Sequence, residues 1–194
     1  MFLWPAISLA LFLLFLAWYD GWPRRPLSAK EYEPLLEKMK QQRTAQGAAG
    51  ALALERFRAF AESDDGGEFH MVNLLRINRE AGGSDAGRRY MRAWARAAVP
   101  RGSHPSYRGR VTGKIQGAQE DTIWDQVVLM RYRSRRDLLR IATDDGFMRD
   151  AAQKGVALSY TDAYPASPTL FPGSPRVLLF LALVILNLIV VAWG

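Results

Sequence analysis

The pattern of apolar and polar positions is centred on the stretch from Glu68 to Ile77, the first strongly β-type run in the chain. This run follows a turn sequence from Asp64 to Gly67 and carries apolar side chains on both faces, which is typical of a strand inside a sheet. One amide, Asn73, interrupts the apolar pattern between Met71 and Leu75. Asn73 is either a hydrogen-bonded amide of the core or a polar group in a ligand pocket.

The pattern after this run alternates between helices and strands. The predicted elements are a helix from Asp85 to Ala98 capped by Ser84, strands from Tyr107 to Ile115 and from Trp124 to Arg133, a helix begun by the capping box Ser134 to Asp137, a short helix with Phe147, and a strand from Val156 to Tyr164. Together with the first strand, the order is β-α-β-β-α-β, which predicts an α+β domain.

Two amphipathic helices are predicted before the first strand. Ser28 and Glu31 form a capping box, and apolar residues then recur with helical spacing from Tyr32 to Met39. A second apolar face runs from Leu54 to Ala61. These helices either pack against the domain or lie on a membrane surface.

Both ends of the chain are apolar over lengths close to the roughly 20 residues that cross a bilayer core. We predict transmembrane helices at residues 1–22 and 176–194, a juxtamembrane helical segment at 23–67, a folded domain at 68–165 and a proline-rich linker at 166–175. Trp4, Trp18 and Trp22 mark the interfaces of the first span. A cleaved signal peptide fits poorly, because no basic n-region and no small-residue cleavage site are present.

The charge distribution predicts how the two spans are oriented. Arg24, Arg25, Lys30 and Arg176 lie on the inner side of the spans, and neither terminus carries a competing Lys or Arg. By the positive-inside rule, the domain is expected in the cytoplasm and the chain in the cytoplasmic membrane. The formal net charge of +7 fits anionic lipid head groups or acidic protein surfaces as partners. The 194 residues include no cysteine, which excludes disulfides and thiolate metal sites.

Several segments of the domain resemble a widespread uncharacterised bacterial family of small ferredoxin-like domains in the dimeric α/β-barrel superfamily. The matching residues are Phe69 to Arg76, Tyr90, Trp124-Asp125, Val127-Val128, Arg131-Tyr132 and Ser134-Arg135. The resemblance covers about Ala59 to Tyr164 and implies an antiparallel four-stranded sheet with two helices on one face. It also implies that the other face meets a second copy. Gln153-Lys154 stands where the family has a His-Arg pair, so roles resting on that pair do not transfer.

Related barrels place a pocket between the sheet and the helices. Here such a pocket would be lined by the ligand-binding candidates Asn73, Arg76, Tyr90, Trp94, Trp124 and Tyr132. The same residues could instead form the core and dimer contacts, which is the commoner role of buried aromatic side chains.

Four further residues are candidates for contacts with a partner or with lipid. Arg88, Arg92 and Arg96 form a basic stripe on one face of a predicted helix, facing either solvent or an anionic surface. Asn187 lies near the middle of the second span, where an amide usually binds a group on another helix.

The available chemistry does not identify a reaction. His70 and His104 lack metal-ligand spacing, and no phosphate loop, dinucleotide fingerprint or nucleophile elbow occurs, so we expect no metal and no cofactor. Interleaved Arg and Tyr residues could suggest single-stranded nucleic acid, but strand alternation explains the same pattern, so no nucleic acid is expected.

Two functions remain open at this stage. The first is a membrane-anchored interaction module, either a homodimer or an accessory subunit of a membrane protein complex, with a small apolar ligand as a further partner. The alternative is a cofactor-independent monooxygenase-type or other barrel enzyme that acts on a lipophilic substrate.

Overall fold

The computed structural model describes residues 3–43, 47–80, 82–116, 124–169 and 171–193. Met1, Phe2 and Gly194, which the predicted spans include, lie outside the described residues. The described part of the chain forms an α+β structure built on one four-stranded sheet.

The strands of the sheet are β1 (Phe69–Ile77), β2 (His104–Arg110), β3 (Gln126–Tyr132) and β4 (Leu158–Ala166). They lie in the order β2-β3-β1-β4, and all neighbours are antiparallel. β1 is central, as its two apolar faces predict. The order and the helical connections fit a ferredoxin-like fold.

One face of the sheet is covered by helices α4 (Gly83–Ala98), α5 (Arg135–Ala142), α6 (Asp145–Ala151) and α7 (Gln153–Ala157). The core between these layers consists of Phe69, Trp94, Ala97, Ala98, Met130, Tyr132, Leu138 and Ile141. Because strand side chains alternate, Phe69, Met71 and Asn73 face the helices whereas His70 and Val72 face the opposite side.

Several predicted boundaries are wrong. β2 ends at Arg110 instead of Ile115, because β3 begins only at Gln126, the partner of Arg110. β4 begins at Leu158, since the preceding residues form α7. Ser84 does not cap α4, because the helix starts at Gly83, two residues before the predicted Asp85, after Gly82 with a left-handed φ of 91°.

Each predicted capping box forms one of its two reciprocal hydrogen bonds among the described residues. The Ser134 hydroxyl accepts a hydrogen bond from the backbone N–H of Asp137 at 3.1 Å, as predicted for the start of α5. At the earlier box, Glu31 reaches back to the backbone N–H of Ser28 at 3.1 Å, while the Ser28 hydroxyl donates to the same carboxylate.

The helices α2 (Ala29–Arg43) and α3 (Gly47–Glu62) pack against the domain. Their contacts join Leu36, Met39 and Ala61 to Leu139 of α5. They therefore lie beside the helical layer and leave the opposite sheet face without a cover from these two helices.

The terminal helices α1 (Leu3–Asp20) and α8 (Pro175–Trp193) lie beside each other, with the rings of Phe12 and Phe180 5.8 Å apart. Two transmembrane helices were predicted, but within the described residues only Pro175–Ala192 is long and apolar enough to cross a membrane. The apolar stretch Trp4–Asp20 is shorter.

Candidate functional site

A cavity of about 1210 Å³ lies between the sheet and the helices α4 to α7. Its floor is formed by strand residues and its walls by helical ones. The lining residues include Met71, Asn73, Tyr132, Thr161, Tyr90, Trp94, Phe147, Arg149 and Lys154. Its position is the one that the resemblance implies for a pocket in this fold.

Four of the six predicted ligand-binding residues line this cavity: Asn73, Tyr90, Trp94 and Tyr132. Arg76 does not line the cavity. It lies three residues after Asn73 in the same strand, so its side chain is on the other face of the sheet, where it is exposed. Trp124 precedes β3 and packs its ring 5.5 Å from that of Tyr160. Ligand binding by the four remains a prediction.

The amide of Asn73 is only partly engaged. Its Nδ2 donates to the backbone oxygens of Met71 at 2.9 Å and Val128 at 3.2 Å. Both acceptors are carbonyl groups, so the orientation of the amide is fixed by chemistry. Its Oδ1 accepts no hydrogen bond from the described residues.

The aromatic residues of the cavity carry further polar groups. Trp94, which is 3% exposed, donates from Nε1 to the Tyr132 hydroxyl at 3.0 Å, and Tyr132 is 6% exposed. Burial raises the pKa values of both tyrosines, that of Tyr90 to about 12. Because of these raised pKa values, both phenols are neutral at physiological pH. The ring of Tyr90 also packs against that of Phe147, with the ring centroids 5.5 Å apart.

The charged residues of the cavity lie on its helical wall. Asp145 pairs with Lys38 at 2.7 Å and is exposed, as is Arg149. Lys154 is a half-buried lining residue. Beyond this wall, the cavity presents aromatic, aliphatic and neutral polar side chains.

A second cluster lies on the opposite face of β1 and β3, where the sheet meets α1 and α8. Arg131 is 1% exposed and donates to the backbone oxygens of Tyr19 at 2.9 Å and Gly102 at 2.7 Å. It also donates from Nε to Glu68 at 2.8 Å, and its guanidinium carbon lies 3.7 Å from the centroid of the Tyr19 ring. We call Tyr19, Asp20, Glu68, Arg131 and Arg176 the junction cluster.

Arg176 at the start of α8 completes the junction cluster. It donates to Asp20 at 2.8 Å and to Glu68 at 3.0 Å. Burial alone would raise the pKa of Glu68, but the hydrogen bonds and charges of Arg176 and Arg131 outweigh it and lower that pKa to about 2. The junction cluster thus binds the carboxyl end of α1 and the amino end of α8 to the same end of the sheet.

The junction cluster was not predicted as a site, although the sequence held one signal of it. Arg131 interrupts the apolar strand from Val127 to Tyr132, and a charge in a buried strand requires a partner. Its carboxylate partners Asp20 and Glu68, and Arg176, which binds the same two carboxylates, come from three distant parts of the chain, so no spacing connected them.

The two histidines lie close to this cluster. The Tyr19 hydroxyl donates to His104 Nε2 at 2.7 Å, because His104 Nδ1 faces the oxygen of Pro105 at 3.0 Å and must carry the proton. His70 is 6% exposed, and its Nε2 has no hydrogen-bond partner within the described residues. Among all the described residues, no group of three or more His, Asp or Glu side chains is arranged to hold a metal ion.

The residues predicted to contact a partner or lipid occupy two places. The basic stripe on α4 is exposed and consists of Arg88, Arg92 and Arg96. Arg88 forms an ion pair with Asp85, an acidic residue on the same helix that was not part of the predicted stripe. Asn187 donates to Ser8 Oγ on α1 at 3.0 Å and to the oxygen of Leu183 at 2.8 Å.

Comparisons with known proteins bear on the fold. No protein-family model matches the sequence, and no curated protein matches it either. The chain is similar to the crystal structure of RPA0582, a protein of unknown function from Rhodopseudomonas palustris, with a TM-score of 0.55 and 23% identity over 60% of this chain and 94% of that chain. The structure of methylated RPA0582 gives a TM-score of 0.55 and 24% identity over 62% and 93%. This likeness establishes a shared small α/β fold.

Proposed function

We propose that this protein is a membrane-anchored ferredoxin-like module that holds a small apolar ligand and assembles into a homodimer or a larger membrane complex. The membrane anchoring is supported by the way apolar and charged side chains are distributed along α1 and α8. Their apolar side chains stay exposed, including Leu14, Leu178 and Leu188, while the charged residues gather at their inner ends. Such a long exposed apolar surface requires a bilayer or a partner.

Both terminal helices are proposed as spans. α1 has 18 residues, or about 27 Å of helix, which is slightly less than the roughly 30 Å hydrocarbon core. A shortfall of this size is accommodated by local thinning and by interfacial tryptophans such as Trp4 and Trp18. Arg24, Arg25 and Arg176 at the inner ends favour a cytoplasmic domain.

The absence of cysteine from the chain permits a direct topology experiment. Single cysteines replace Ala48, an exposed residue of α3, and Ala192, at the far end of α8. In intact spheroplasts, a membrane-impermeant maleimide should label Ala192→Cys, and should label Ala48→Cys only after permeabilisation. Labelling of Ala48→Cys in intact spheroplasts would show that the orientation is wrong, and release of the protein by alkaline carbonate would contradict the anchoring.

The open sheet face supports the proposal of assembly. Val72, Leu74, Val127 and Leu129 on this face are half-buried, and the tyrosines Tyr107, Tyr160 and Tyr164 are exposed. Since α2 and α3 pack beside α5, they do not cover this face. We propose that a second copy covers it. The mass of the detergent-solubilised protein tests this, and a clean monomer would contradict it.

Anionic lipid head groups are proposed as partners of Arg88, Arg92 and Arg96. Trp18 Nε1 donates to the oxygen of Pro100 at 3.0 Å, so the end of α4 lies beside the inner end of α1. In nanodiscs, anionic lipid should raise the unfolding temperature at low salt, and changing all three arginines to Gln should remove that increase. Changing Arg56, Arg110 and Arg140 to Gln removes equal charge as a control. An equal loss in both triple variants would contradict the assignment.

Ligand binding is favoured over catalysis by the same cavity. A barrel enzyme that used a tyrosine as its proton acceptor would need a phenol with a pKa near the working pH, whereas burial raises the pKa of Tyr90 to about 12. Ligand binding is tested by mass spectrometry of small molecules retained by the purified full-length protein. Conversion of a retained lipophilic molecule into a product would support the enzyme alternative instead.

A further inference from the structure

We infer that the cavity takes a neutral lipophilic molecule carrying a hydroxyl group, with that hydroxyl donating to Asn73 Oδ1 and accepting from a tyrosine. This inference rests on the proposed ligand binding and specifies the chemical class of the ligand. It follows from the hydrogen-bonding capacity that the lining residues leave unused.

The cavity has one fixed, unused acceptor. Asn73 Nδ2 is committed to two carbonyl oxygens, so Oδ1 is the atom left over, and no described residue donates to it. Asn73 is half-buried and lines the cavity. Burying an amide oxygen away from water without a new hydrogen-bond donor costs about 1–3 kcal/mol. A ligand that donates to Oδ1 should therefore bind more tightly than one that does not.

The cavity also has unused donors. The Tyr132 oxygen accepts from Trp94, and the Tyr132 proton has no acceptor among the described residues. The Tyr90 hydroxyl has no partner there either. Thr161 Oγ1, also in the lining, is buried without a partner. A ligand hydroxyl, which both donates and accepts, complements this set, whereas a ketone can only accept.

An ionised carboxylate fits this part of the cavity poorly. It accepts hydrogen bonds and donates none, so it cannot satisfy Asn73 Oδ1. The cationic lining residues Arg149 and Lys154 lie on α6 and α7, whereas Asn73 and Tyr132 lie on the strands. Burying a carboxylate beside Asn73 would therefore desolvate a charge without a cation from the strands.

Three probes of one shape test the inference on the full-length protein in detergent: naphthol, naphthalene and naphthoate. Titration calorimetry gives the three dissociation constants. Naphthol should bind about tenfold more tightly than naphthalene, because its hydroxyl completes the unused hydrogen bonds. Naphthoate should bind more weakly than naphthol.

Variants tie this preference to the cavity. Tyr90→Phe and Asn73→Leu should each reduce the naphthol preference severalfold, and Trp124→Phe, outside the lining, should leave it unchanged. Because the ratio of naphthol to naphthalene affinity is compared between variants in one detergent, the different partitioning of the two probes into micelles cancels. Tyr90→Phe breaks no hydrogen bond between described residues, so its result stands if Asn73→Leu fails to fold.

Failure of the hydroxyl assignment and failure of ligand binding give different outcomes. Equal affinity for naphthol and naphthalene would overturn the hydroxyl assignment while leaving ligand binding intact. Tightest binding of naphthoate would overturn it in favour of an anion held by the α6–α7 wall. No binding of any probe would contradict both the inference and the proposed ligand cavity.

Discussion

The cavity and the junction cluster lie back to back on the same two strands and use polar groups in opposite ways. Arg131 and Tyr132 are adjacent in β3, yet Arg131 faces the junction and Tyr132 faces the cavity. In the junction cluster, Arg131 binds four oxygen-bearing groups and almost every charge is paired. In the cavity, Asn73, Tyr90 and Tyr132 keep hydrogen-bonding capacity that no described residue uses.

This difference separates a structural role from a binding role. A buried charge network has to be complete, because any uncompensated charge is costly in a low dielectric. A ligand site, in contrast, keeps polar groups available for a molecule that arrives later. We therefore expect changes in the junction cluster to affect stability, and changes in the cavity to affect binding with smaller effects on stability.

The largest effect is expected from Arg131→Met. It removes the guanidinium that binds Glu68 and the backbone oxygens of Tyr19 and Gly102, while Arg176 still pairs with Glu68 and Asp20. The free energy of unfolding should therefore fall by about 3 kcal/mol, the lower end of the range for breaking a buried charge network. Urea unfolding in detergent measures this loss. Arg58→Met, which breaks an exposed pair with Glu33, should have little effect, and similar losses in both variants would contradict the comparison.

Acid should weaken the junction cluster in a predictable range. The pKa of Glu68 is lowered to about 2, so its stabilising contribution is complete above pH 4.5 and is lost as the pH falls toward 2. We expect a loss of about 2 kcal/mol, which is less than the full shift implies because the carboxylate is partly screened by solvent. Unfolding measured from pH 5 to 2 should become less pH-dependent in Glu68→Gln, and an unchanged slope would contradict the assignment.

In the cavity, Trp94→Phe removes the N–H that binds the Tyr132 hydroxyl. The expected loss of unfolding free energy is about 1–2 kcal/mol, since the Tyr132 oxygen loses the donor that it has among the described residues. Trp124→Phe is the matched control, because Trp124 is partly exposed and packs on Tyr160. If thermal unfolding shows equal losses in the two variants, the Trp94 hydrogen bond contributes nothing measurable.

The smallest effect is expected between the terminal helices. Asn187→Ala and Ser8→Ala remove the two partners of one interhelical hydrogen bond, and a double-mutant cycle isolates their coupling. Hydrogen bonds of this kind contribute about 0.6 kcal/mol in membrane helices, so we expect a coupling of that size. A coupling of zero in bicelles would show that the contact between Asn187 and Ser8 does not stabilise helix pairing.

The sequence by itself determined the elements and the central strand. Periodicity and capping boxes locate the helices, because Ser134 and Glu31 act through contacts within one helical turn. The apolar faces of Phe69 to Ile77 likewise require a covered position in the sheet. Four cavity residues were also within reach, since strand alternation and one helix face place Asn73, Tyr132, Tyr90 and Trp94 on the same side.

Only the tertiary structure decided which charges meet. Asp20, Glu68, Arg131 and Arg176 are separated by up to 156 residues, and no local pattern encodes their pairing. The end of β2 was decided in the same way, because a strand continues only as far as its neighbour offers hydrogen bonds. Local rules depend on neighbours along the chain, whereas the junction cluster, the cavity volume and the strand ends depend on neighbours in space.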